Sequence, residues 1–129
     1  MLINSELLDS ISGQARSNER LRMNFNFHSS PESKSQRLLN AIEMGSVIPI
    51  HRHTHSAETY LLLRGTMRVF YYNEEEELVE TFDLDPLKGS YGIDIPQGQW
   101  HSLEVTSPDT VIFEVKDGPY IALSASDVR

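Results

Sequence analysis

The stretch 45–65 reads GSVIPIHRHTHSAETYLLLRG, and the rest of the chain is organised around it. It holds four side chains able to grip a metal ion: His51, His53, His55 and Glu58. On a strand, successive side chains point to opposite faces, so His51, His53 and His55 share one face while Arg52 and Thr54 take the other. Two such imidazoles stand about 7 Å apart at a rise of roughly 3.3 Å per residue, close enough to converge on one ion. Glu58 then opens an apolar run, residues 60–63, that ends at Arg64-Gly65. The pattern predicts strand, short loop, strand, with the ligands where two neighbouring strands meet. Taken alone, a His-x-His pair equally suits a solvent-facing strand.

A distant stretch shifts the balance. Residues 89–105 read GSYGIDIPQGQWHSLEV. Pro96-x-Gly98 marks a tight turn, because proline fixes φ and glycine accepts positive φ. Residues 100–105 follow as a strand, with His101 near its start. Together the two stretches resemble the motifs of the cupin superfamily. The first cupin motif runs glycine, five residues, His-x-His, three or four residues, glutamate, six residues, glycine. Gly45, His51, His53, Glu58 and Gly65 fit it throughout. In the second motif Pro96, Gly98 and His101 fit. Gly89 stands one residue too far from Pro96, and Val105 replaces the usual asparagine. Those departures touch turn and strand packing, not ligand chemistry.

The stretches RMNFNFH (22–28), QRLLNAIEMG (36–45), PIHRH (49–53), WHSLEV (100–105) and FEVKDGPY (113–120) look like the WbuC-type cupin fold metalloproteins, a group named from a bacterial O-antigen gene cluster. The resemblance covers most of residues 20–120. It implies an all-β fold, the cupin jelly-roll β-barrel or double-stranded β-helix. It also implies a metal held by His51, His53, Glu58 and His101. It says little about the reaction.

Composition narrows the class. At 129 residues the chain has the size of one domain, long enough to bury a core without staples. The expected organisation is a single cupin domain over 1–129: a peripheral helix over 1–13, a barrel over 20–118 and a tail over 119–129. A net charge of −8 argues against nucleic acid and anionic membrane surfaces. The absence of cysteine rules out disulfides and thiolate metal sites. The start, MLINSELL, has neither signal-peptide nor anchor character, so the expected location is cytoplasmic.

Residues 2–12 read as a short helix, capped by Asn4 or Ser5 and ended by Gly13. Residues 20–28 alternate strictly: Leu21, Met23, Phe25 and Phe27 point one way, Arg22, Asn24, Asn26 and His28 the other. That is a strand, and in a cupin its polar face can line the cavity. Residues 36–44 fit helix or strand by periodicity; the cupin pattern says strand. Asn73-Glu74-Glu75-Glu76-Glu77 reads as a solvated hairpin tip. Residues 110–116 form a strand, and 121–129 a tail that pairs at an edge or frays. The count is nine or ten short strands with Gly and Pro turns and one helix, which means a sandwich or jelly roll.

Three imidazoles and one carboxylate suit a first-row divalent ion; manganese, iron, nickel and zinc are the main candidates. Four protein ligands on an octahedral ion leave two positions for water or a bidentate oxygen ligand. His55 has the right parity but sits past the expected strand end. Arg22, Asn24, Asn26, His28, Glu114 and Lys116 are the expected ligand-facing residues, with Tyr60 as a wall carrying a polar tip. Such a pocket suits a small anion or polyol. Three functions remain open: a metal-dependent isomerase, epimerase or dioxygenase acting on a sugar, sugar acid or carboxylate; a non-catalytic sensor or binding module; and a barrel with a structural metal. A homodimer is expected, because small barrels with open edges invite pairing.

Overall fold

Alternating apolar and polar runs pair here into two antiparallel sheets, and the amphipathic helix covers the outer face of the wider one. The computed structural model describes residues 1–129. The order is α1 (Ser5–Arg16), β1 (Arg22–Asn26), β2 (Ser35–Ile42), β3 (Glu58–Arg64), β4 (Met67–Tyr72), β5 (Leu78–Leu84), β6 (Gly92–Ile95), β7 (Trp100–Val105) and β8 (Thr110–Asp117). One sheet runs β1-β2-β8-β3-β6, the other β5-β4-β7. The architecture is the cupin jelly roll.

Eight strands form, fewer than the nine or ten expected. Much of the shortfall lies in residues 46–57. They were expected to hold a strand carrying His51, His53 and His55, but remain irregular apart from a bridge at His51. Pro49 lacks a ladder donor, and the tail and the Gly98 turn take the backbone groups of Ile50, Arg52 and His53. The ambiguous stretch 36–44 resolves as strand β2, paired with β1 and β8 on either side.

Helix α1 differs from expectation at its end. Asn4 caps it, accepting from the Leu7 N–H at 3.0 Å. It was expected to stop before Gly13 but runs to Arg16, with Gly13 inside. Leu8, Ile11 and Ala15 are buried against Leu39, Ala41 and Val111, and Arg16 pairs with Asp109. This packing of the last turn outweighs the roughly 1 kcal/mol that glycine costs inside a helix. Met23, Phe25, Phe27 and Phe113 pack against the same cluster, so the aromatic face of β1 lies under the helix, outside the barrel.

The barrel interior holds Ile42, Tyr60, Leu62, Met67, Val69, Leu84, Ile95, Leu103, Val105 and Ile112. The sheets differ in width, and the interior packing involves no residue of β1. Gly65, between β3 and β4, has φ +88°, and a Cβ there would stand 2.2 Å from Thr110 Oγ1. Both constraints select glycine. The tail folds back on the metal stretch. Arg52 N–H donates to Asp127 O at 3.0 Å, and Arg129 N–H to Ile50 O at 2.8 Å. No helix is long and apolar enough to cross a membrane.

Candidate metal centre

His51, His53 and His101 converge: each offers a ligand atom, and these atoms lie within 4.8 Å of one another. Two backbone hydrogen bonds join the separate stretches. His51 N–H donates to His101 O at 3.0 Å, and His101 N–H to His51 O at 2.9 Å. Strand β7 carries His101 inward, 1% exposed. The turn before it is pinned by Gly98 N–H donating to His53 O at 2.8 Å.

Ring orientation follows from the nearest carbonyls. His51 Nδ1 lies 2.8 Å from Pro49 O, and His101 Nδ1 lies 2.8 Å from Gln99 O. A carbonyl only accepts, so each Nδ1 carries the proton and each Nε2 keeps its lone pair. Burial, together with neighbouring His101, pushes His51 down to about 4, so at neutral pH it is an uncharged imidazole able to ligate.

Glu58 opens β3 and is 3% exposed. Its Oε1 lies 2.8 Å from His53 Nε2 and 3.6 Å from Lys116 Nζ; its Oε2 lies 3.7 Å from His101 Nε2. The Tyr60 hydroxyl donates to Oε2 at 2.6 Å. Burial alone would raise this carboxyl, but His101, His53 and Tyr60 outweigh it and hold Glu58 below the usual carboxylate range. Burial and the Glu58 charge push Tyr60 well up, so it stays a phenol and a donor.

The donor set fits a divalent ion. His101 Nε2 is buried with no hydrogen-bond partner, a costly state for a lone pair unless something occupies the centre. Beside it stand two further imidazoles and an ionised carboxylate, a nitrogen and oxygen set suited to a first-row metal.

A cavity of about 230 Å³ opens over these residues, and its walls include Arg22, Asn40, Tyr60, Glu114 and Lys116. Glu114 is buried and accepts from Asn40 Nδ2 at 2.9 Å. Burial and the nearby Glu58 charge push it up to about 7. Asn40 Oδ1 is buried without a partner. Arg22 reaches the rim, donating to Val47 O at 3.1 Å.

Other expected residues sit further out. Asn24 and Asn26 are solvent-exposed, on the same sheet face as Glu114 but beyond the metal cavity. His28 accepts from Arg37 N–H at 3.1 Å and lies beside those asparagines. His55 is exposed and outside the histidine cluster.

Asn40 and the tail were not anticipated as parts of the site. Asn40 shares the parity of Leu38 and Ile42 on β2, and that was its only signal. The tail left no local signal at all. Arg129 stacks on the only tryptophan, Trp100, with its guanidinium 3.8 Å from the ring centre, and Arg52 stands 4.6 Å from the same centre. Arg129 also donates to Asn73 O and Glu74 O, both at 2.6 Å. The acidic hairpin tip therefore anchors the tail as well as meeting solvent.

Fold and site together define a cupin-fold protein with a centre able to hold a divalent metal. The chain belongs to the DUF6016 family, a domain of unknown function, whose model matches residues 3–84. No curated protein matches this chain. Among solved structures, KdgF from Halomonas sp. is similar at 14% identity and TM-score 0.59, over 74% of this chain and 79% of that one. The cupin domain of Schizosaccharomyces pombe Cnp3 matches at 12% identity and TM-score 0.60, over 74% and 60%. The capsular polysaccharide assembling protein CapF from Staphylococcus aureus matches at 17% and TM-score 0.60, over 87% of this chain and 32% of that one. CapF with the inhibitor 3-isopropenyl-tropolone matches at 18% and TM-score 0.56, over 76% and 28%. This chain thus spans about a third of CapF. At these identities the likeness establishes the fold.

Proposed function

We propose that this protein binds a small oxygenated metabolite, of the sugar, sugar-acid or carboxylate type, through one divalent transition metal ion held by His51, His53, Glu58 and His101. The observation that carries this reading is the buried, unpartnered Nε2 of His101 beside two more imidazoles and an ionised carboxylate. Manganese, iron, nickel and zinc all suit the donor set. When bound, such an ion supplies Lewis acidity toward oxygen donors.

The chain's own side chains supply the rest. Tyr60 orients Glu58 through its 2.6 Å hydrogen bond. Lys116 and Arg22 bring positive charge to the cavity, which favours an anionic ligand. Asn40 Oδ1 is free to accept from a ligand hydroxyl. An apolar ligand would leave these groups unpaired. The polar cavity beside the donors supports ligand binding over a structural metal. Turnover of the isomerase, epimerase or dioxygenase type and carriage without turnover use the same contacts.

The finer reading is a WbuC-type cupin acting in surface-polysaccharide metabolism, in the cytoplasm, with residues 1–129 as one cupin unit. The match to a capsular polysaccharide assembling protein over 87% of this chain supports it. Tropolone, a bidentate oxygen donor, tests the ligand site. Zinc-loaded protein is expected to bind tropolone, with a shift in its ultraviolet absorption. Chelator-treated protein and His101→Ala are expected to bind none. Equal binding by all three would contradict the reading.

A further inference from the structure

The inner face of the five-stranded sheet continues past the metal residues. Register sets Gln36 on β2, Lys116 on β8 and Glu58 on β3 in one row across the sheet. The next row holds Asn26, Leu38, Glu114 and Tyr60. Neighbouring strands lie about 4.8 Å apart, so Glu58 and Gln36 are separated by roughly 10 Å along their row. Beyond β8 the inner face opens into a second cavity of about 410 Å³, whose walls include Asn24, Asn26, His28 and Gln36. It shares Glu114 and Lys116 with the metal cavity. These two side chains of β8 form a common wall between a metal compartment and a polar annex.

The lining indicates what fits. Asn24 and Asn26 present exposed amides, each with donor and acceptor ends. His28 commits Nδ1 to Arg37, and Gln36 commits Nε2 to Pro31 O and Ser33 O, which fixes both side chains in the wall. On the metal side, Asn40 holds Glu114 Oε1 through Nδ2 while its buried Oδ1 has no partner. A donor is missing there, next to the shared wall. Lys116 supplies a cation reachable from either compartment.

We propose that the annex is a distal subsite for the same ligand. The ligand class is then an α-hydroxy acid bearing a further glycosyl unit. Its carboxylate head lies at the metal centre and its hydroxylated body passes Glu114 and Lys116 into the annex. This rests on the metal-centre reading above. The roughly 10 Å span matches two linked sugar-sized units and exceeds a single small acid.

The test is calorimetric titration of manganese-loaded full chain with gluconate and with lactobionate, which is gluconate carrying a galactosyl unit. Lactobionate is expected to bind about tenfold tighter or more, as one or two added well-placed hydrogen bonds would give. Asn24→Leu with Asn26→Leu is expected to erase that gain and leave gluconate unchanged. Both positions are exposed on an edge strand, and Asn26→Trp alone fills the same space as a second check. Metal-dependent gluconate binding with no gain from the galactosyl unit, or a gain that survives these variants, overturns the subsite and leaves the metal-centre reading standing. No metal-dependent binding of either acid overturns both.

Discussion

His51 and His101 exchange both backbone hydrogen bonds, at 3.0 and 2.9 Å, and their ring centres lie 4.3 Å apart. Fifty residues of sequence are closed by this one bridge. The two halves of the centre are therefore held by main chain, and the rings need only rotate to meet an ion. Removing a side chain should empty the site without opening the bridge.

Glu58 is the residue where charge and geometry separate. Glu58→Gln keeps an oxygen and the approximate shape but removes the negative charge facing His53 and Lys116. Metal affinity is expected to fall by about 10- to 100-fold, since the weaker donor remains in place. Competition with a chromophoric chelator measures this. An unchanged affinity would remove Glu58 from the ligand set.

The tail should matter to the metal centre although it supplies no ligand; Leu123 lines the cavity wall. Val128 bridges His51, and Asp127 accepts from Arg52 at both backbone and side chain. Arg129→Ala removes the stack on Trp100, worth on the order of 1 kcal/mol, together with two hydrogen bonds. The expected outcome is a lower melting temperature, changed Trp100 fluorescence and weaker metal binding. Full metal affinity in this variant would show that the histidine stretch holds its shape unaided.

Glu114 gives stability a pH dependence in the metal-free protein. Burial first, then the Glu58 charge, raises its folded-state value to about 7 from the ordinary 4.5. Between these values the folded chain keeps a proton that the unfolded chain has lost, so stability falls as pH rises from about 4.5 through 7. Glu114→Gln removes the penalty. The variant is expected to gain on the order of 1–2 kcal/mol at pH 8 and little at pH 4.5. Denaturant midpoints at the two pH values check this. A pH-independent difference would contradict it.

A homodimer is the expected assembly. Helix α1 covers the outer face of the wide sheet over β1, β2 and β8, while Leu61 and Leu63 of β3 remain 45% and 41% exposed. Sedimentation at micromolar concentration should give twice the chain mass. A monomeric mass would rule the dimer out.

Much of this was legible in the chain because the relevant signals are local. The alternation Leu21-Arg22-Met23-Asn24-Phe25-Asn26 has period two, and β1 follows it. The ligand histidines and Glu58 sit at motif spacings, and three of the four form the convergent cluster. What was not legible depends on partners distant in sequence. Helix α1 passes Gly13 because Ala15 and Arg16 find Val111 and Asp109 almost a hundred residues away. The histidine stretch is irregular because the tail and the Gly98 turn take its backbone groups in place of a long ladder. Parity placed Asn24 and Asn26 on the inner face, but it carries no information about the width of the opposing sheet, which leaves them exposed.

The central claim is one divalent ion per chain at this centre, and elemental analysis of purified protein tests it most directly. Wild-type protein is expected to carry about one equivalent of a first-row metal. His51→Ala with His101→Ala is expected to carry none, with an unchanged far-ultraviolet circular dichroism spectrum. Full metal retention in the folded double variant would contradict the account.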